Sequence, residues 1–103
     1  MVITICGSLK FKQEMINIAE KMTLLGYCVI TPVFPVSQNT NYTPRQIQNL
    51  KNSHLKKIEI SDAILVVNVN NYIGKSTHLE IEYAKQYNKQ VLYYTNLMQR
   101  LER

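Results

Sequence analysis

A parallel α/β sheet of about four strands in the order 2-1-3-4, with helices on both faces, is the fold this sequence predicts, a Rossmann-like (flavodoxin-like) arrangement. Three observations carry that expectation. Short β-branched runs alternate with longer segments of helical period along the chain, the pattern of strand, crossover and strand. Right-handed crossovers of these lengths leave few topologies open. Ile64, Leu65, Val66 and Val67 form an unbroken apolar run, which suits a strand covered on both faces.

At 103 residues, with a hydrophobic fraction of 46% and three each of glycine and proline, the chain reads as one globular domain over 1–103. No apolar run approaches the ~18 residues of a membrane span, and no basic leader precedes the apolar start. A cytoplasmic protein without a membrane partner is expected. The formal charge of +5 is dispersed, with Lys56-Lys57 the only adjacent basic pair, so anionic small ligands are expected rather than nucleic acid. Cys6 ends the first strand and Cys28 begins the second, which sets them at opposite ends of neighbouring strands, too far apart for a disulfide; both are expected as buried thiols.

The first strand, residues 2–6, stops at Gly7-Ser8, where glycine permits a tight turn and serine serves as a helix N-cap. Phe11, Met15, Ile18, Met22 and Leu25 then recur at spacings of four and three, one face of a helix over 9–25 that Gly26 closes. A second strand over 27–31 ends at Pro32 and Pro35. Residues 33–43 have no period and form a loop of roughly ten residues, a candidate lid or subunit contact. Thr43-Pro44 is an N-cap with proline at the first helical position, opening a helix that runs to about residue 60. On it Ile47, Leu50, His54 and Ile58 share a stripe while Lys51, Lys56 and Glu59 face away. The third strand and a polar loop over 68–77 lead into a helix from Thr77 to about residue 88. A fourth strand covers 90–94, and 95–103 form a short helix or a tail.

Open parallel sheets bind ligands beyond the carboxyl ends of their strands, where the winding reverses. Here that brings Cys6-Gly7-Ser8 and residues 68–77 to one crevice. Glu80 then has two readings. Thr77-His78-Leu79-Glu80 has capping-box spacing, in which the glutamate returns to the N-cap amide. Alternatively, a carboxylate at the mouth of the crevice acts as a nucleophile or as a ligand for sugar hydroxyls. Ser76 and Thr77 with the free amides of their helix, like Ser8 at the first helix, are either an anion site or ordinary caps. Asn68, Asn70 and Asn71 are turn formers or ligand contacts, and Tyr72 stacks on a base or plugs the loop. His54 reads as a satisfied histidine of an apolar stripe. There is no P-loop, no G-x-G-x-x-G, no metal-ligand cluster and no Ser/His/Asp spacing, and His54 and His78 are too isolated to favour a metal. Neither a metal nor a cofactor is expected.

In order, Cys6-Gly7-Ser8, Gly26-Tyr27-x-Val29-x-x-Pro32, Ser61-Asp62-Ala63, Gly74-x-Ser76-Thr77-x-x-Glu80-Ile81-x-x-Ala84 and Lys89-x-Val91 resemble the nucleoside 2-deoxyribosyltransferase superfamily, which includes the deoxynucleoside monophosphate N-hydrolases. Within it, His54-Leu55-x-Lys57-Ile58 and Asn68-Val69-x-x-Tyr72-Ile73-Gly74 resemble a small bacterial and phage branch. The resemblance runs from residue 2 to about residue 94. It implies that Glu80 attacks the anomeric carbon and forms a glycosyl-enzyme, the chemistry of a retaining glycosidase. It also implies that Gly7 and Ser8 form a first sugar or phosphate loop and Ser76 and Thr77 a second, with Cys6, Phe11, Asn68, Tyr72 and Gly74 completing the binding set. A nucleoside or nucleotide partner follows, as does a homodimer or larger homo-oligomer. Two positions depart from the pattern. His54 stands where the enzymes carry an acidic residue, and either replaces it as general acid or marks lost activity. Asn70-Asn71 stands where this branch has two glycines. Two classes of function remain: an enzyme acting at an N-glycosidic bond, or a nucleotide-binding or sensing module on the same scaffold.

Overall fold

A computed structural model describes residues 1–37 and 41–101, apart from the side chain at 101. Its four strands, β1 (Val2–Cys6), β2 (Cys28–Ile30), β3 (Ala63–Val66) and β4 (Gln90–Tyr93), are all parallel and lie in the order β2-β1-β3-β4 that the sequence predicts. The apolar run at 64–67 is the reason β3 sits in the middle. Each residue of β3 is fully buried, and its alternating side chains feed two separate cores. Ala63, Leu65 and Val67 pack with Ile3, Ile5, Met15, Ile18 and Met22 on one face of the sheet. Ile64 and Val66 pack with Cys6, Ile58, Ile81 and Ala84 on the other.

The helices follow the same division. A 3-10 turn at Leu9–Phe11 leads into α1 (Lys12–Leu24), and α4 (Tyr94–Leu101) joins it over the first core through Leu97 and Met98. α2 (Pro44–Glu59) and α3 (Lys75–Gln86) cover the second core. Met15, Ile18 and Met22 of the expected α1 stripe are buried, and Gly26 closes the helix at φ 103°, a left-handed conformation that glycine enters without strain. The expected cap of α2 is present in full: Thr43 Oγ1 accepts from the Gln46 amide, and the Gln46 side chain accepts from the Thr43 amide. Thr4, buried in β1, is bonded to Ser61 at 2.6 Å, and both hydroxyls donate or share bonds with the Lys57 carbonyl, so the sheet and the end of α2 are pinned by a satisfied polar pair.

Three expectations are corrected. Cys28 is exposed, not buried, because β2 is an edge strand and Cys28 pairs with Val2 at its outer end. α3 begins at Lys75 with Gly74 as its cap, so Thr77 lies inside the first turn, buried, and no Thr77–Glu80 capping box forms. On that helix the spacing of Glu80, Ile81, Ala84 and Tyr87 predicts a shared sheet-facing side, yet Tyr87 is exposed and its ring lies 4.8 Å from that of Tyr83. Of the two alternatives at 95–103, helix holds through Leu101, while 102 and 103 lie outside the described residues. The lid or subunit-contact reading of 33–43 falls partly on 38–40, also outside them. Among the described residues no helix is long and apolar enough to cross a membrane.

Candidate active site

Where β1 and β3 diverge, a cleft of about 530 Å³ opens beyond the carboxyl ends of the strands. Gly7, Ser8 and Leu9 line it from the exit of β1, and Pro32, Val33, Pro35 and Tyr42 from the segment after β2. α2 contributes Leu50, Lys51, His54 and Lys57, and α3 contributes residues 74–77 and Glu80. The glycine at 7 has a steric reason. A Cβ there would stand 3.2 Å from the Val67 carbonyl oxygen and 3.4 Å from Met15, so a larger residue would press β3 or Met15 aside by a few tenths of an ångström where the chain turns off β1.

Glu80 enters the cleft from the second turn of α3, a consequence of the helix starting at Lys75. His54 Nε2 lies 3.5 Å from Glu80 Oε1 and 3.4 Å from Cys6 Sγ. The side chains of His54 and Glu80 are 12% and 21% exposed, while Cys6 is completely buried beneath them. Burial, and after it the charge and hydrogen bond of Glu80, push the Cys6 thiol well above its ordinary value. Cys6 is therefore a neutral thiol that faces the carboxylate as a donor. His54 Nδ1 is buried and has no partner among the described residues. Nε2 is the ring nitrogen turned toward both Cys6 Sγ and Glu80 Oε1. His54, which reads from sequence as an isolated member of an apolar stripe, is instead part of a three-residue group, and Cys6, His54 and Glu80 offer donor atoms within 4.8 Å of one another.

The cleft also gathers positive charge. Lys51, Lys57 and Lys75 line it, and Lys57 Nζ is tied at 3.0 Å to the Thr31 carbonyl. Lys51, expected to face away from the stripe of Leu50 and His54, instead lines the cleft beside them. Gly74 supplies no side-chain cap, so the first amides of α3 remain free toward the cleft.

Of the other sequence candidates, Gly7, Ser8, Gly74, Ser76 and Thr77 line the cleft, and Ser8 also accepts from the Lys10 amide. Asn68 is buried and fully engaged with Thr95, donating to its hydroxyl and accepting from its amide, each at 3.2 Å. Phe11 and Tyr72 meet edge to face at 5.8 Å, with Lys10 Nζ 3.3 Å above the Tyr72 ring; neither lines the cleft. Asn70 and Asn71 have φ of 53° and 63°. Asparagine tolerates that region better than other side chains, which explains how it stands in place of two glycines. Sequence reasoning missed Lys51, Lys57 and Leu50, though all three lie one helical step or one turn from His54, and missed the residues after β2, which the same crevice rule reaches.

The fold is similar to that of two solved structures. A 2-desoxiribosyltransferase from Leishmania mexicana superposes with a TM-score of 0.66 at 20% identity, covering 90% of this chain and 63% of that one. The CMP N-glycosidase BcmB of Clostridium botulinum superposes with a TM-score of 0.59 at 16% identity, covering 90% of this chain and 67% of that one. At these identities the likeness is one of fold, and the chain spans less than two thirds of the Leishmania protein. No family model and no curated protein matches the sequence.

Proposed function

We propose that the protein cleaves, or transfers at, the N-glycosidic bond of a deoxynucleoside or its 5'-monophosphate, with Glu80 as nucleophile. The observation that carries this reading is that Glu80 is the one acidic side chain among the described residues lining the cleft, partly shielded and met by side chains from β1 and α2. Attack by its carboxylate on the anomeric carbon forms a glycosyl ester as the bond to the base breaks; water, or a second base, then takes the sugar and frees the carboxylate. Two carboxyl groups of a retaining pair stand roughly 5–5.5 Å apart, with the scissile bond between them. His54, at 3.5 Å, is closer than that and serves to orient Glu80, and because no second carboxyl group lines the cleft among the described residues, the leaving base takes its proton from solvent water. Lys51, Lys57, Lys75 and the free amides of α3 support an anionic substrate, hence the monophosphate. The activities named for the two similar structures, deoxyribosyl transfer and CMP N-glycosidase, lend coarse support. A homodimer or larger homo-oligomer belongs to the same reading, and light scattering tests it.

One observation favours a second reading, a nucleotide-sensing module without turnover: among the described residues lining the cleft, no second carboxyl group stands beside Glu80 to act as general acid. Base release from each deoxynucleoside and deoxynucleoside monophosphate, followed by chromatography with and without an acceptor base, decides between them. The catalytic reading expects release from at least one substrate and a sugar adduct on the peptide carrying Glu80. No release from any, with nucleotide raising the melting temperature, overturns it in favour of sensing.

A further inference from the structure

Cys6, His54 and Glu80 come from β1, α2 and α3, and they supply one sulfur, one imidazole nitrogen and one carboxylate oxygen. Zinc bonds of ~2.3 Å to sulfur and ~2.0–2.1 Å to nitrogen and oxygen, opened to the tetrahedral angle, set ligand-to-ligand edges of roughly 3.3–3.6 Å. The observed edges are 3.4 Å from Cys6 Sγ to His54 Nε2 and 3.5 Å from Nε2 to Glu80 Oε1. Two of the three edges thus already stand at tetrahedral spacing, and the third, from Cys6 Sγ to the Glu80 carboxylate, lies within 4.8 Å, on a frame of one strand and two helices. Nε2 is the ring nitrogen that meets both other donors, so the coordinating atom is defined.

We propose that Cys6, His54 and Glu80 form a binding site for a borderline-soft divalent cation of the zinc class. A mixed sulfur, nitrogen and oxygen set suits Zn²⁺ or Co²⁺ and does not suit Mg²⁺ or Ca²⁺, which take all-oxygen shells. Cys6 lies at the buried floor, whereas His54 and Glu80 line the cleft, so the fourth position opens toward the cleft and takes water or a ligand atom. Binding exchanges the thiol proton for the metal and releases it to solvent. The consequence for turnover rests on the reading of Glu80 as nucleophile: a bound ion occupies the carboxylate lone pair that would attack the sugar, so zinc and glycosyl transfer exclude one another at this site.

The test uses the full chain carrying Cys28→Ser, which removes the exposed thiol, stripped with chelator and titrated with Co²⁺ alone. The expected result is one equivalent bound, with the visible bands of tetrahedral cobalt and a near-ultraviolet thiolate-to-cobalt band, both bleached by Zn²⁺. Cys6→Ser in that background abolishes the thiolate band, and His54→Asn weakens binding by more than the ~10–100-fold that loss of an outer-shell partner costs. No band up to roughly 1 mM Co²⁺ overturns the proposal. So does a band that persists in folded Cys6→Ser. If Cys6→Ser fails to fold by circular dichroism, His54→Asn carries the test alone, and unchanged cobalt spectra there overturn it. Base release is followed in parallel. Cobalt bands without base release sustain the metal site and count against the glycosyl reading, whereas base release unaffected by stoichiometric Zn²⁺ in a protein that shows the bands refutes the exclusion.

Discussion

Replacing Glu80 by glutamine tests the nucleophile while leaving the architecture in place. The carboxylate meets His54 Nε2 at 3.5 Å and faces the Cys6 thiol, and it is 21% exposed. Glutamine is isosteric, and its carbonyl oxygen still accepts from the Cys6 thiol. A bond to a charged acceptor is worth about 1.5–3 kcal/mol and a neutral one about 0.5–1.5, so the exchange costs about 1 kcal/mol before relief of a partly buried charge is counted. In a domain of this size about 1 kcal/mol lowers the melting temperature by ~4–8 °C. The start of α3 should not respond, because its cap is Gly74 and Glu80 lies a turn further on. Catalysis should collapse, by roughly 10⁴–10⁶-fold if the loss matches that of other covalent-catalysis residues. Circular dichroism melts and chromatographic base release measure the two quantities on one preparation. Release surviving in Glu80→Gln refutes the nucleophile. A melting temperature lowered by more than roughly 10 °C refutes the claim that the side chain is structurally light.

Four further outcomes follow. Thr43→Ala removes the 3.1 Å bond from the Gln46 amide to Thr43 Oγ1 while leaving the 2.9 Å bond from its own amide to the Gln46 side chain, and should cost about 1 kcal/mol by denaturant titration. Asn68→Ala strips the Thr95 amide and hydroxyl of their partner, a loss of about 1–3 kcal/mol that should show as faster amide exchange across α4 than across α1. Iodoacetamide should modify Cys28 in the native protein and Cys6 only after unfolding, as peptide mass spectrometry reports. Cys6 also gives a pH signature. Its folded pKa is raised above the ordinary 9.0, so below about pH 9.0 this group leaves stability flat, and above it the unfolded chain ionises first and stability falls as pH rises. Tyr83, raised chiefly by its hydrogen bond to Glu59, acts in the same sense, so the comparison is between Cys6→Ala and the parent, and a slope unchanged by Cys6→Ala would contradict the assignment.

What reads correctly from sequence are features whose cause is local. The run at 64–67 buries on both faces, Thr43-Pro44 caps a helix, and Gly26 ends one, because each depends on side chains within a turn of one another. The start of α3 misreads for the same local reason: Gly74 and Thr77 are competing caps three residues apart, and the spacing to Glu80 favours the wrong one. Moving the start to Lys75 turns Glu80 from a capping partner into a cleft residue. Asn68 reads as a loop residue because its partner, Thr95, is 27 positions away.

The sequence by itself determined the strands, the helices and, through crossover handedness, the sheet order, since periodicity and chirality act along contiguous chain. Only the tertiary structure decided that Cys6 and His54, 48 positions apart, meet Glu80 over one cleft. That meeting depends on how α2 and α3 pack across the same face of β1 and β3, a packing of distant elements that no local spacing encodes.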